Sequence, residues 1–476
     1  MILGKSLASR TNQVILALIF CALTLALWKI IPHPVIAVII GLVPIAIIVT
    51  LRAPLIMVIF FVAFSFFRLH EAIDPLFPLR LPLLLSLGAL SGLAWGLFIT
   101  RSIKPWWSKE MTLLMLFVGI VTVGILFSAN KTEAIGYFKD IYWKVILMTF
   151  AISWLLEKFS SFRVLTRIIT ISGIIVASKT VYNRINEIGL VDGTRVTVGR
   201  DIGSILGDPN DLALVLMFPT AFSVALSLTK GVPKFWRILG VICLLLIVPS
   251  IIMTESRGGL LGVLGVLGVF AYRLLKSKIL FFTGGALAAI LLFAVAGVDR
   301  SDQTVAESGL DHSAQGRLHA WEAAVSMALS KPITGVGIST FYYNYFAHTP
   351  VWDGKPHSVH STWFGVLAET GFIGLTIFGL FLFRLFKNAK ITLEFAEKNR
   401  SKCGVDFIVS AQAAFAGLIG TSISATFLTQ GFSWPFYILA GVIMAGHHLI
   451  ERIVRNEDHA ICSLGLRDAN QTAKTL

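Results

Sequence analysis

The chain has 476 residues, 56% hydrophobic and 14% charged, with mean hydropathy +0.81 and a formal net charge of +14. A soluble chain of this length carries about 25% charge, so the composition excludes a soluble globular protein. The positive balance fits Lys- and Arg-rich cytoplasmic loops of a membrane protein and implies no nucleic-acid partner, and the four scattered cysteines, Cys21, Cys243, Cys403 and Cys462, include no C-x-x-C pair from which a disulfide framework or zinc site would follow.

Repeated apolar runs near 20 residues predict an all-α, polytopic membrane protein, because lipid offers no partner for open backbone groups. A barrel would need alternating runs of about 10 residues, and none is visible. Lys5 and Arg10 precede the first run, at about 13–31. That run is long for a cleaved signal and lacks a small-x-small site, so it reads as an uncleaved first span. Further spans follow at approximate positions 34–51, 53–68, 80–99, 111–128, 140–156, 164–182, 209–228, 237–253, 258–274, 279–298, 362–385, 406–427 and 433–450. The count is fourteen, or twelve if the short second and third runs, joined at Arg52-Ala53-Pro54, do not each cross.

Lys and Arg collect in alternate short loops, which puts both termini in the cytoplasm. Two long loops, about 183–208 and 299–361, then lie on the outer face. Basic outer loops run against the usual bias, and binding an anion is one reason for them. The chain thus divides into helices and a loop over 1–298, an outer loop with an amphipathic helix over 299–361, helices over 362–450, and a cytoplasmic tail over 451–476. The segment 387–405 reads as a separate helix on the cytoplasmic surface. No pair of interrupted spans of the transporter kind is evident.

The second long loop carries the densest chemistry. Gly316–Ser330 reads as a helix with Leu318, Trp321, Val325 and Ala328 on one stripe and Arg317, His319 and Glu322 off it. Pro332 stops the helix, Thr334-Gly335-Val336-Gly337 turns, and Phe341, Tyr342, Tyr343, Tyr345 and Phe346 supply an interfacial aromatic belt. His357 and His360 sit just before the next span. Metal ligands, interface anchors and a general base are the three readings of this pair; neither a third His nor a carboxylate falls in metal-ligand rhythm.

Arg257 stands in Thr254-Glu255-Ser256-Arg257-Gly258-Gly259, a short turn on the same face. An arginine there either snorkels or pairs with Glu255, or clamps phosphate oxygens bidentately, and the two glycines would let a bulky headgroup approach the backbone. The 183–208 loop adds Arg184, Arg195 and Arg200, solvated or in contact with substrate. In Gly207-Asp208-Pro209-Asn210-Asp211, Asp208 and Pro209 look like an N-cap and first helical position. Asp140 and Lys144 have i,i+4 spacing on one helix. Glu369, two turns into its span, reads as a structural hydrogen-bond acceptor. His447 and His448 lie at the cytoplasmic end. The chain contains neither Asp-x-Asp nor G-x-x-x-x-G-K-[ST].

These motifs in this order resemble the O-antigen ligase and O-antigen polymerase superfamily. They are the Arg-rich loop into GDPND at 207–211, SRGG at 256–259, GR…W and PITGVG over 316–337, and a His before LAETGFIGL at 367–375. The likeness is best over about 193–386; the first half resembles the family only in its spans. The family's last motif usually reads His-Asn, whereas this chain has His360-Ser361. The resemblance implies a GT-C-like helical fold in the bacterial inner membrane, with an outward-facing active site and no cofactor or metal. It implies a glycan donor on undecaprenyl diphosphate and a hydroxyl acceptor on lipid A-core, as in ligases, on another repeat unit, as in polymerases, or on protein. On this resemblance His360 is the expected base and Arg257 and Arg317 the groups on the diphosphate, with Arg195 and Arg200 as helpers; His357, His319, Glu369 and Lys144 are candidate supporting groups from their positions alone. A lipid-linked oligosaccharide flippase or transporter is the reading from another class.

Overall fold

The computed structural model describes residues 47–295, 312–352 and 354–463, with isolated positions 21, 22, 26 and 29. Among them the chain is helical without strands; Val191 and Arg195 form an isolated bridge. A bilayer leaves no water to satisfy an open backbone, and the apolar runs accordingly become helices: α1 Pro54–Ser65, α2 Leu81–Ala94, α3 Lys109–Phe127, α4 Lys131–Tyr137, α5 Trp143–Leu155, α6 Phe159–Ile185, α7 Pro209–Leu228 and α8 Lys234–Met253. Beyond them come α9 Arg257–Leu274, α10 Lys278–Val295, α11 His312–Ser330, α12 Phe341–His348, α13 Thr362–Lys398, α14 Val405–Ser424 and α15 Trp434–Ser463.

Nine of the described helices are long and apolar enough to cross a membrane. The expected spans at 13–31 and most of 34–51 lie outside the described residues. Expected span 53–68 becomes the 12-residue α1, whose length of about 18 Å falls short of a hydrocarbon core of about 30 Å. Expected span 140–156 starts earlier, as α4, and passes through a π-turn at Phe138–Tyr142 into α5.

Helix α7 forms the centre. Leu212, Ala213, Leu216, Met217, Ala221 and Phe222 are fully buried, and α8, α9 and α14 pack around it. Small residues set the spacing, as is usual between membrane helices. A Cβ on Gly259 of α9 would stand 2.6 Å from Ala213 Cβ, and one on Gly420 of α14 would stand 2.4 Å from Val266.

The long helix α13 is interrupted at Gly371, at φ 68°, ψ −171°. That backbone region is essentially reserved for glycine. The turn after α11 inserts into the break: Val336 N–H donates to Ala368 O (2.9 Å), Gly337 N–H to Glu369 O (3.2 Å), and Phe372 N–H to Pro332 O (2.9 Å). Carbonyls and an amide released by the break thus find partners in the turn. Composition alone shows no such interruption. The same helix corrects the surface helix expected over 387–405: residues as far as Lys398 simply continue α13, because no helix breaker precedes Asn399.

Helix α11 begins at His312 rather than Gly316, and its buried face differs in part from the expected stripe. Ala320, Ala323, Ala324, Met327 and the expected Ala328 are fully buried and the expected Trp321 packs against them, whereas Leu318 (46% exposed) and Val325 (36%) face outward. Close approach to α13 selects the alanines, and the β-branched Val325 and the Leu318 side chain stay on the outer side. At the far end of the bundle, arginines meet carboxylates: Arg163 and Asp406 (3.0 Å), Arg384 and Glu110 (2.8 Å), and Arg273 with Glu397. Helix α15 runs past residue 450 to Ser463.

Candidate functional site

The α7 start, the α8–α9 turn, the segment before α13 and the α14–α15 loop converge at one end of the bundle. Asp208 caps α7 as expected, its Oδ1 accepting from Asn210 N–H (2.7 Å) and Asp211 N–H (3.3 Å), with Pro209 at the first helical position. The 183–208 loop is no loose excursion. Val196, Thr197, Val198 and Leu206 are fully buried, and Val196 N–H donates to Met253 O (3.0 Å) at the end of α8. Arg195 ties the loop to two elements: its Nε donates to Thr254 O and its Nη2 to Asn210 Oδ1, each at 3.2 Å. Arg200 donates from Nη1 to Gly207 O (3.2 Å), beside the cap.

Arg257 is the first residue of α9, after the N-cap Ser256, whose side chain accepts from Gly259 N–H (3.4 Å). The two glycines after it do not leave room for a headgroup. A Cβ on Gly258 would touch Phe427 at 3.1 Å, and Gly259 abuts Ala213. They bring the turn against the α14–α15 loop and α7. That loop in turn holds the start of α13: Thr362 N–H donates to Ala425 O (2.8 Å), Thr362 Oγ1 donates to Leu428 O (2.7 Å), and Gln430 N–H donates back to Thr362 Oγ1 (2.9 Å).

His360 lies immediately before this anchored start, with φ at 43°, in the left-handed region that non-glycine residues seldom adopt. Fixed hydrogen bonds on its α13 side hold that conformation. On the other side, Trp321 of α11 donates from its indole to Val359 O (3.1 Å) and stacks on Phe364, ring centroids 4.9 Å apart and 13° from parallel. Burial lowers the His360 pKa below its ordinary 6.5; Arg317 and His357 lower it further, and Asp208 opposes them. These shifts favour the neutral imidazole, which can take a proton.

The structure thus gathers His360, His357, Arg317 and Asp208, with Arg257 and Arg195 joined to them through the 254–258 turn and the α14–α15 loop. His357 packs its ring edgewise on Tyr345, centroids 5.6 Å apart. Other expected site residues fall elsewhere. His319 is two residues from Arg317 on α11, and such positions do not share a helix face. Glu369 is buried in the broken-helix joint, Oε2 accepting from Ser339 N–H (2.9 Å) and Oε1 from Phe341 N–H (3.1 Å), which is the acceptor role its position suggests. Lys144 lines a separate cavity of about 620 Å³, with Asp140, Asp211 and Gln430.

Sequence reading missed Trp321 as a brace on the His360 segment, the second role of the Asp208 carboxylate, and the whole α14–α15 loop. Trp321 sits beside Arg317 in a polar helix, which is a usable signal; the loop residues 425–430 carry none. Among the described residues, no three His, Cys, Asp or Glu side chains form a metal-ligating group.

Residues 214–379 match a family model described as O-antigen ligase. Over those residues the chain is similar to the O-antigen ligase family. The matched segment includes Arg257, Arg317, His357, His360 and Glu369 and excludes Asp208, Arg195, Arg200 and Lys144. No curated protein matches the chain.

Proposed function

We propose that this chain is an O-antigen ligase-type glycosyltransferase, moving a glycan from undecaprenyl diphosphate to a hydroxyl of lipid A-core with inversion and without a divalent metal. The observation that carries the reading is a half-buried His360, held at φ 43° between the Trp321 brace and the anchored start of α13, in the field of Arg317 and within the family-matched segment. His360 takes the proton of the acceptor hydroxyl as its oxygen bonds to the anomeric carbon. The bond from that carbon to phosphate oxygen breaks, and the lipid diphosphate leaves with the electron pair. Arg317 and Arg257 stabilise the charge that develops on the leaving diphosphate, and Arg195 supports the Arg257 turn from Thr254. The site faces the periplasm from the inner membrane, both termini are cytoplasmic, and the arginine–carboxylate pairs of the far end lie on the cytoplasmic side.

The test is transfer from a polyprenyl-diphosphate-linked glycan to rough lipopolysaccharide by purified protein in EDTA, alongside His360→Ala. Product from wild type and a loss of about 10²–10⁴-fold in the variant are expected. Wild-type-like transfer by His360→Ala would remove the base from the mechanism. Elongation of a repeat unit without transfer to lipopolysaccharide would move the chain to the polymerase branch, and absence of product with either acceptor would favour the flippase.

A further inference from the structure

The cavity that holds Lys144 lies behind the α7 start, walled by α1, α2, the α4–α5 turn, α7 and the beginning of α15. Its volume of about 620 Å³ is in the range of small-molecule sites, about 300–1,000 Å³. It shares a wall with the His360 site. Asp211 lines it and is bonded through its amide to the Asp208 cap. Gln430 also lines it, donating from Nε2 to Asp211 Oδ1 (3.4 Å), while its own backbone N–H holds Thr362, two residues from His360.

The lining chemistry selects among occupants. Two carboxylates, Asp140 and Asp211, stand against Lys144 and Arg68, and Arg68 is already engaged by both oxygens of Glu71, at 2.7 and 2.8 Å. No excess positive charge remains for a diphosphate, and Asp140 would repel one. A prenyl or acyl chain would fit the Leu83, Ile141, Leu214 and Val215 part of the wall, but over the polar part it would strip water without replacing its hydrogen bonds, at a cost of a few kcal/mol per group. A polyhydroxylated ring suits the site: hydroxyls donate to the carboxylates, and the ring faces lie on Trp434, Phe61 and Tyr137, which line the same space.

We infer that this cavity is a saccharide subsite, holding uncharged sugar residues of one substrate next to the His360 centre. The inference rests on the glycosyl-transfer reading for its purpose, though binding can be measured without turnover. The donor glycan and the acceptor core offer the same chemistry, so two probes are needed: the oligosaccharide released from its carrier by mild acid, and the delipidated core oligosaccharide. Saturation-transfer NMR on protein in nanodiscs reads binding for wild type, His360→Ala, Asp140→Asn and the cavity-filling Ser86→Trp, with thermal unfolding as the check on folding. Expected is binding of one probe, kept in His360→Ala and weakened about tenfold or more, roughly 1.4 kcal/mol, in at least one folded cavity variant. The bound probe identifies which substrate uses the subsite. Binding that every folded cavity variant retains, or no binding of either probe to a wild type that still transfers glycan, would overturn the subsite and leave the transfer reading intact. Binding lost in the cavity variants of a protein without transfer activity would keep the subsite and sink that reading.

Discussion

Two glycine-containing stretches look alike in the sequence, SRGG at 256–259 and PITGVG at 332–337, and the structure uses them in opposite ways. The second is a joint. Its amides fill the break in α13, and a Cβ on Gly335 would stand 2.4 Å from the carbonyl carbon of Glu369. The first presents a charge, with its glycines packed on Phe427 and Ala213 so that Arg257 stands at the head of α9. Glycine beside a charged loop therefore signals close backbone approach, and only the partner of that approach tells whether it serves a ligand or another helix.

The contrast predicts that SRGG variants damage turnover and joint variants damage folding. The largest effect belongs to Arg257→Ala: transfer falls about 10²–10³-fold, as when a charge-stabilising donor is removed, at a normal membrane level measured by immunoblot. Wild-type-like transfer would sink the diphosphate role. Next comes Gly371→Ala, which forces a side chain into a glycine conformation with its Cβ 2.5 Å from Pro332 O. Backbone strain alone costs about 1–3 kcal/mol, so the unfolding midpoint in detergent drops, and an unchanged midpoint would contradict the joint. Glu369→Gln replaces a carboxylate that accepts from two amides and costs about 1–3 kcal/mol. If that variant instead unfolds normally and loses turnover, Glu369 belongs with the chemistry.

The smallest effect is a shift of pH dependence, read on the residual activity of variants that also lose rate. Because neutral His360 is the working form, activity is lost as pH falls through its pKa, which burial holds below 6.5. Arg317→Met removes a repelling charge, raises that pKa and moves the acid limb of kcat/KM to higher pH; Asp208→Asn moves it to lower pH. Limbs that stay in place in both variants would separate these residues from His360.

Much of this was legible one residue at a time. His360, Arg317 and the Asp208 cap stand out by type and spacing, and the cap bonds form where Asp-Pro implies. The Asp140 and Lys144 pair was visible as an anomaly in an apolar run, yet its setting was not, because the cavity needs Asp211 and Gln430 from far along the chain. The stripe on α11 was right for Trp321 and Ala328 and wrong for Leu318 and Val325, because periodicity marks apolar residues without saying which side meets protein and which meets lipid; both are apolar surroundings.

By itself the sequence determined the helical class and the approximate position of most described helices, since hydropathy is local and lipid forces each segment to satisfy its own backbone. Only the tertiary structure decided that α13 breaks at Gly371 to receive the 332–337 turn, and that Gln430 and Thr362 join the α14–α15 loop to His360. Those contacts link residues tens of positions apart through single hydrogen bonds and missing side chains, which leave no periodic trace in the chain.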